Sequence, residues 1–550
     1  MRVIVIGGVA GGMSAATRLR RLDESAEIVV LEQGSYVSYA NCGLPYYVGG
    51  EIEDRADLLL HTPESLTARF RLDVRTQHEA IAIDRAARRV EVMDHRSGAL
   101  VELDYDVLVL AAGASANPLE AAGIPVHTLR TVDDVDAIDA LLPRDGAATA
   151  LVVGGGYIGI EATENLVRRG VPTTLVHRGP HVLATLDPEL AVLVEDELRA
   201  NGVELRTSTE IESVDRDAVR LSDGELLRPR LIVNASGATP NTGLARAAGL
   251  RLGANGGIAV DAQNRTSDPH VYAVGDGVEK IGLDGEDALV AMAGLANRHG
   301  RTAADVIAGR PERNSPALGT TVVRVFGLTA ASLGWSEGRL QRAGRPYRAV
   351  HTHPMSHAAY FPGAERMALK LLIDPADDAI LGAQAVGGAG VDKRIDVLAV
   401  AMAGGITASG LARLELAYAP QYGQAKDPIN QLGYVADNVR TGTTATVQWH
   451  ELPALQRDGA AVVDVRSDAE RASGAIPGAL GIPLDELRER LDELPDAPVV
   501  VYCQVGQRGH TAARLLVQHG VDARNLDGGY RTWSAGRAAE LAASETMEAR

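Results

Sequence analysis

Short, unbroken apolar runs recur along this chain, each followed by a glycine cluster and then by an amphipathic stretch. Val3-Ile4-Val5-Ile6 leads into Gly7-Gly8-Val9-Ala10-Gly11-Gly12, a helical pattern from Met13 to Leu22, and a second run from Glu27 to Leu31 closed by Glu32. A run without polar alternation suits a strand covered on both faces, so strand, turn, helix, strand predicts a parallel sheet. The order returns at Leu151-Val152-Val153, Gly154-Gly155-Gly156-Tyr157-Ile158-Gly159, a helix through Val167 and a strand from Thr173 to Val176. From about 316 to 440 the texture changes to short strands, such as Thr321 to Phe326 and Ala368 to Ile373, with a helix near Asp392 to Ala403. Thr441-Gly442-Thr443-Thr444 reads as a short linker to a compact last segment, with a strand from Pro498 to Tyr502 and a helix from about Gly509.

The two glycine turns carry the first candidate chemistry. Glycines let a turn approach a pyrophosphate while the helix N-terminus faces the anion, and an acid about 20 residues on binds the adenosine ribose. Gly7, Gly8, Val9, Ala10, Gly11 and Gly12, with Glu32 and Gln33, are therefore candidate cofactor positions, although Val9 stands where the usual pattern has its middle glycine. Gly154, Gly156 and Gly159 keep the full pattern. Two such units point to two dinucleotides. An acid at the end of the second unit's strand would favour NADH, yet the chain has His177-Arg178 there. A cation suits a 2′-phosphate, so the expectation is NADPH, the alternative being two solvated side chains.

Composition narrows the class. A chain of 550 residues allows about three to five domains, and 46% hydrophobic with 23% charged residues is ordinary for a globular protein. The net charge of −18 argues against nucleic acid, so a polyanionic ligand would need a local basic patch. Two cysteines, Cys42 and Cys503, make no disulfide framework and fit a reducing cytoplasm. The chain opens directly on a strand, with no basic and apolar leader, and no apolar run reaches spanning length. Neither export nor membrane insertion is expected. Nothing in the sequence points to a metal.

Cys42 lies in Ser38-Tyr39-Ala40-Asn41-Cys42-Gly43-Leu44-Pro45-Tyr46-Tyr47, just after the first nucleotide unit. Asn41 is placed to cap a short helix beginning near Cys42, and a helix N-terminus would lower the thiol pKa. The alternative is a buried structural cysteine.

The segment Ser38 to Gly50 resembles the active-site segment of coenzyme A disulfide reductases, single-cysteine flavoproteins of the pyridine nucleotide-disulfide oxidoreductase group. The resemblance runs to about residue 440; beyond it the chain resembles a rhodanese, in a fusion associated with persulfide and polysulfide reduction. It implies FAD in the first unit and NADPH or NADH in the second. Gly237, within Asn234 to Asn241, matches the crossing back to the flavin domain, and Asp276, ending Val271-Tyr272-Ala273-Val274-Gly275-Asp276, matches the acid on the ribityl chain. The flavin domain would then be residues 1–113 and 240–315, with the nicotinamide domain 114–239 inserted, an interface domain at 316–440 and a rhodanese domain at 446–545. The fold class implied is α/β: two Rossmann-like dinucleotide-binding domains, an α+β dimerisation domain and a C-terminal α/β rhodanese domain.

In such a homodimer the active site is shared, and Tyr360 and Tyr418 match the tyrosines sent towards the partner's cysteine, where a hydroxyl could protonate a leaving thiolate. Two amphipathic core tyrosines are the alternative. Ser14, Arg18, Arg21, Ser38, Asn41, Arg298 and Lys426 match positions that contact coenzyme A, although each charge could equally be a solvated one. Ala461 to Arg466 and Gly474 to Ala479 match rhodanese landmarks, and Cys503-Gln504-Val505-Gly506-Gln507-Arg508 matches the catalytic loop. That loop aims N–H groups at the sulfur, and Arg508 adds charge. A phosphatase loop would need one more residue before the arginine. The function implied is NAD(P)H-dependent reduction of coenzyme A disulfide, coenzyme A persulfide or polysulfide at Cys42, coupled to sulfur transfer at Cys503. Two other readings remain: an oxidase or peroxidase cycling Cys42 through a sulfenic acid, although related peroxidases carry a histidine in the first glycine turn and this turn, with Ala10 in it, has none, and a non-catalytic redox sensor.

Overall fold

The computed structural model of the chain describes residues 1–119, 123–142 and 148–548, with side chains described to residue 543. The first apolar run forms the middle strand, Arg2–Ile6, of a five-stranded parallel sheet in the order Val271–Ala273, Val107–Leu110, Arg2–Ile6, Glu27–Glu32, Asp73–Thr76. Val3 and Val5 pack on one face with Met13 and Leu19, while Ile4 and Ile6 pack on the other with Val90, Val92 and Ala245. That double covering is why the run tolerates no polar residue. The helix Ala10–Leu22 lies against the helix Ala293–Ile307, and Arg18 clamps the pair through both oxygens of the buried Asp305, at 2.6 and 3.2 Å.

The chain leaves this sheet after Leu110 and returns to it at Val271. Between lies a second parallel sheet, ordered Glu204–Arg206, Thr173–Val176, Ala150–Val153, Leu231–Asn234, Val126–His127. An antiparallel pair, Ala114–Ala116 with Ala238–Pro240, carries the chain out and back.

The third sheet is antiparallel, in the order Thr321–Val325, Leu328–Gly334, Ile380–Gly387, Met367–Ile373, Arg348–Thr352. Its helices Val391–Ala403 and Pro428–Arg440 bury Ile395, Leu398, Ile429 and Leu432 against Leu369, Leu371 and Ala385. Val323, Val325, Ala330 and Val386 instead join the core of the second sheet's unit. The fourth sheet is parallel, ordered Thr446–Val447, Ala523–Leu526, Val499–Tyr502, Ala461–Asp464, Leu480–Gly481. The Thr441 to Thr444 segment is fastened to this last unit, since Arg514 donates to the Thr443 carbonyl at 2.6 Å and Thr444 Oγ1 meets His510 Nδ1 at 2.6 Å. The final helix, Gly529–Glu548, packs on the helix Pro188–Ala200 of the second unit. Among the described residues no helix is long and apolar enough to cross a membrane.

Candidate functional site

Close approach explains the first glycine turn. A Cβ on Gly12 would lie 1.9 Å from the Gly7 carbonyl oxygen, and Gly7 itself needs a φ of +105° that favours glycine. Val9 precedes the helix, which begins at Ala10, and it offers no side-chain cap, so the first N–H groups, Gly11 among them, stay available to an anion. Glu32, at the end of its strand, accepts from the backbone N–H of Gly8 and of Gly34, both at 2.8 Å, while Gln33 is exposed. Ser38 returns over the turn with its N–H on the Gly8 carbonyl at 2.9 Å.

Across this cradle Asp276 has a buried Oδ1 with no protein partner, and a Cβ on the preceding Gly275 would meet nothing within 4 Å. Lys280, whose Nζ donates to the carbonyls of Gly275 and Val278 at 2.8 Å each, pins the Asp276 loop; burial lowers its pKa to about 8. A buried acceptor left unsatisfied beside open space is costly unless a donor-rich ligand arrives. The residues therefore fit FAD, with Glu32 available to its ribose, Asp276 to its ribityl hydroxyls and the first helix to its pyrophosphate.

Cys42 is exposed, and it departs from the sequence expectation. Asn41–Gly43 form one 3-10 turn, followed by a five-residue helix, Leu44–Val48, whose capping position is Gly43. Asn41 caps nothing; its amide donates to the Arg130 carbonyl at 3.3 Å. Although the residue as a whole is exposed, its thiol is partly withdrawn from water, and the thiol pKa is raised rather than lowered, first by that desolvation and then by the carboxylates of Glu161 and Asp276. A helix of about one turn has little dipole to set against two carboxylates. Glu161 comes from the helix Tyr157–Arg168 of the second unit; burial raises its own pKa, and it accepts from Tyr46 Oη at 3.0 Å. Sequence reasoning missed Glu161 and Tyr46, and the only trace was an acid just past the second glycine turn.

The second turn is built like the first, with a Gly159 Cβ 1.7 Å from the Gly154 oxygen, Gly154 at φ +108°, and open space at Gly156. Its strand end differs chemically. His177 Nδ1 accepts the Gly155 N–H at 3.1 Å, as Glu32 accepts that of Gly8. Burial lowers the His177 pKa, so it is a neutral acceptor and not the cation expected from the sequence. Arg178 is exposed and, among the described residues, carries no hydrogen bond or ion pair. Gly237, at φ +119°, sits in the returning crossover beside Asn117. A single neutral acceptor, an open Gly156 and a free guanidinium fit a nicotinamide dinucleotide.

The positions matched to coenzyme A divide. Ser14 Oγ donates to Asn297 Oδ1 at 2.8 Å, which brings in a residue the sequence reading did not name. Arg18 is committed to Asp305, so its charge is already compensated. Arg21 is exposed, its guanidinium carbon 5.9 Å from the Phe70 ring centroid; Arg298 and Lys426 are exposed. Tyr360 and Tyr418 are 77% and 48% exposed, so they are not core tyrosines; their hydroxyls meet at 3.2 Å, and that bond raises the Tyr418 pKa. Among the described residues neither hydroxyl bonds to Cys42 of the same chain.

Cys503 directly follows the strand Val499–Tyr502 and is fully buried. The next helix starts at Gln507, ahead of the expected Gly509, so Arg508 lies in its first turn. Arg508 reaches Glu470 through two bonds, of 2.6 and 2.8 Å, and also the Cys503 sulfur. The Arg508 bonds hold Glu470 down to about 2. Arg466, buried and forked onto Asp464, donates to Gln504 Oε1 at 2.9 Å and steadies the loop from beneath.

Comparison with known proteins matches residues 1–294 to the pyridine nucleotide-disulphide oxidoreductases, 320–427 to the dimerisation domain of that group, and 448–536 to the rhodanese-like domain. Coenzyme A disulfide reductase of Staphylococcus aureus (strain JH9) is 35% identical over 440 residues, 79% of this chain and 99% of that one. The crystal structure of reduced Bacillus anthracis CoADR-RHD superposes with a TM-score of 0.96 at 40% identity, covering 98% of both chains. The NAD-dependent persulfide reductase from A. fulgidus superposes with a TM-score of 0.90 at 37% identity, covering 97% of this chain and 100% of that one.

Proposed function

The chain belongs to the pyridine nucleotide-disulphide oxidoreductase family, and from that premise we propose that it reduces coenzyme A disulfide, coenzyme A persulfide or polysulfide with NAD(P)H, and transfers sulfur at a rhodanese-like domain. One observation carries this reading: the exposed Cys42 feels the charges both of Asp276, from the flavin cradle, and of Glu161, from the nucleotide helix, while Cys503 lies buried in another domain. With no second cysteine beside it, Cys42 exchanges with the substrate's own sulfur. The Cys42 thiolate attacks one sulfur of R–S–S–R′, forms Cys42–S–S–R and releases R′S⁻; two electrons and a proton then return the Cys42 thiolate and RSH. FAD bound in the cradle supplies that electron relay between nucleotide and sulfur. Glu161, with Tyr46 on one oxygen, places a proton acceptor near the sulfur.

The domains in this reading are 1–113 with 240–315, 114–239, 316–440 and 446–545, a division supported by the Ala114–Ala116 and Ala238–Pro240 pair at its first seams. Exposed Tyr360, Phe361, Val400, Tyr418, Tyr422 and Tyr434 on the third unit support a homodimer with shared sites. The free Arg178 supports NADPH over NADH. Two free thiols support a reducing, cytoplasmic setting. The test is anaerobic NADPH oxidation with coenzyme A disulfide, coenzyme A persulfide, glutathione persulfide and polysulfide in parallel. A coenzyme A substrate is expected to be turned over fastest; no turnover with any of the four overturns the assignment.

A further inference from the structure

Three units of the chain meet at one buried ionic cluster that no part of the reductive chemistry uses. Asp187 and Glu189 open the helix Pro188–Ala200 of the nucleotide unit, and Lys370, 0% exposed in the strand Met367–Ile373, lies between them and Glu337. Its Nζ is 2.8 Å from Asp187 and 3.2 Å from Glu337, so the ammonium takes the place a metal would hold among three carboxylates. Glu189 has a second neighbour, His351 of the strand Arg348–Thr352, whose Nε2 lies 3.0 Å away. His351 Nδ1 lies 2.7 Å from Asp527, whose Oδ2 also accepts the His351 N–H at 2.9 Å and the Gln448 amide at 3.3 Å. With a carboxylate at each ring nitrogen, the imidazole donates from both and is an imidazolium. Burial alone would push it down; the hydrogen bonds to Asp527 and Glu189 outweigh that and lift it to about 9.

Asp527 is no remote anchor. It begins the turn Asp527-Gly528-Gly529 that floors the Cys503 loop: Tyr530 N donates to the Cys503 carbonyl at 2.8 Å and Arg531 N to that of Gln504 at 3.1 Å. A Cβ on Gly529 would lie 2.4 Å from the Cys503 oxygen and 2.7 Å from the Gly506 nitrogen. The floor therefore moves with the loop or not at all. We propose that His351 of the dimerisation sheet is a positioning residue for sulfur transfer, its imidazolium bridging Glu189 and Asp527 so that the reductase body holds the floor of the Cys503 loop in place. This rests on the sulfurtransferase reading of Cys503 only for its kinetic consequence.

The pH dependence has a definite sign. The groups facing the ring are Glu189, with Asp187 behind it, from the nucleotide helix; Lys370 and Glu337 from the sheet and its helix; and Asp527 from the rhodanese side. Arg366, Arg531 and Asp196 border the adjoining cavity of about 380 Å³, and His353, held near 3 by burial with His351, Arg531 and Arg366 nearby, bonds Thr532 as a neutral ring. A histidine whose pKa is raised on folding stabilises below its unfolded value and loses that contribution as the pH climbs through the folded value. The tether holds at neutral pH and slackens near pH 9.

The experiment is amide hydrogen exchange of residues 503–508 and thiosulfate:cyanide kinetics, in the full-length holoenzyme, for wild type, His351→Gln and Asp527→Asn. Both variants are expected to exchange faster in that loop, to lose about tenfold in kcat with KM little changed, and to lack the wild type's alkaline limb near pH 9, while NADPH-driven reduction is unchanged. Wild-type exchange in both variants overturns the proposal, as does faster exchange matched by an equal loss of reductase turnover. If wild type itself transfers no sulfur, the sulfurtransferase reading fails and the exchange rates still decide the tether.

Discussion

At Cys42 the local charges oppose easy ionisation, since burial and the carboxylates of Glu161 and Asp276 all favour the thiol. Glu161→Gln removes one of those charges while keeping an acceptor for Tyr46. Iodoacetamide alkylation of Cys42 in a Cys503→Ser background should climb with pH to a midpoint above the ordinary cysteine value of about 8.5, and Glu161→Gln should shift the midpoint down. An unmoved midpoint would detach Glu161 from the sulfur. The nucleotide pocket is argued the same way. With His177 neutral and spent on the Gly155 N–H, Arg178 is the remaining cation for a 2′-phosphate. Arg178→Glu should cost about tenfold or more in kcat/KM with NADPH and spare NADH, the loss of about one charged hydrogen bond. Equal losses with both nucleotides would refute that role.

Among the elements, the sequence was most readable where covering on two faces forces an uninterrupted apolar run. The strands Arg2–Ile6, Glu27–Glu32 and Thr173–Val176 were legible for that reason, as were the glycines whose Cβ atoms would strike backbone oxygen. The turn around Cys42 was not legible. A 3-10 turn and a five-residue helix differ from a capped helix by tertiary contacts, among them the Asn41 bond to Arg130, far along the chain. His177 read as a cation because its burial and its Gly155 partner are invisible in sequence. The second glycine turn offers a direct check on element geometry: Gly159→Ala places a Cβ 1.7 Å from the Gly154 oxygen. The helix must then back away, at about 1–3 kcal/mol, and NADPH KM should rise about tenfold with the FAD content of the purified protein unchanged. Loss of FAD along with nucleotide binding would mean the two cradles are not independent.

Across the whole molecule, the least legible features join distant parts of the chain. Glu189, His351 and Asp527 carry no local signal, and Arg18 read as a ligand position because its partner Asp305 lies on another helix. The exposed pair Tyr360 and Tyr418 makes the dimer testable in a way specific to shared sites. Co-expressed Cys42→Ser and Tyr360→Phe/Tyr418→Phe subunits should form heterodimers with one intact site, giving more persulfide reduction than either parent. Activity no greater than the sum of the parents would place each site within a single subunit. The central claim, sulfur reduction at a lone cysteine, is tested most directly by anaerobic stopped-flow mixing of the NADPH-reduced enzyme with coenzyme A persulfide. Wild-type flavin should be reoxidised by persulfide far faster than by oxygen or peroxide, and Cys42→Ser should bind and reduce its flavin normally yet lose the persulfide phase. A Cys42→Ser enzyme reoxidised by persulfide at the wild-type rate, or a wild type that prefers oxygen or peroxide, would contradict the account.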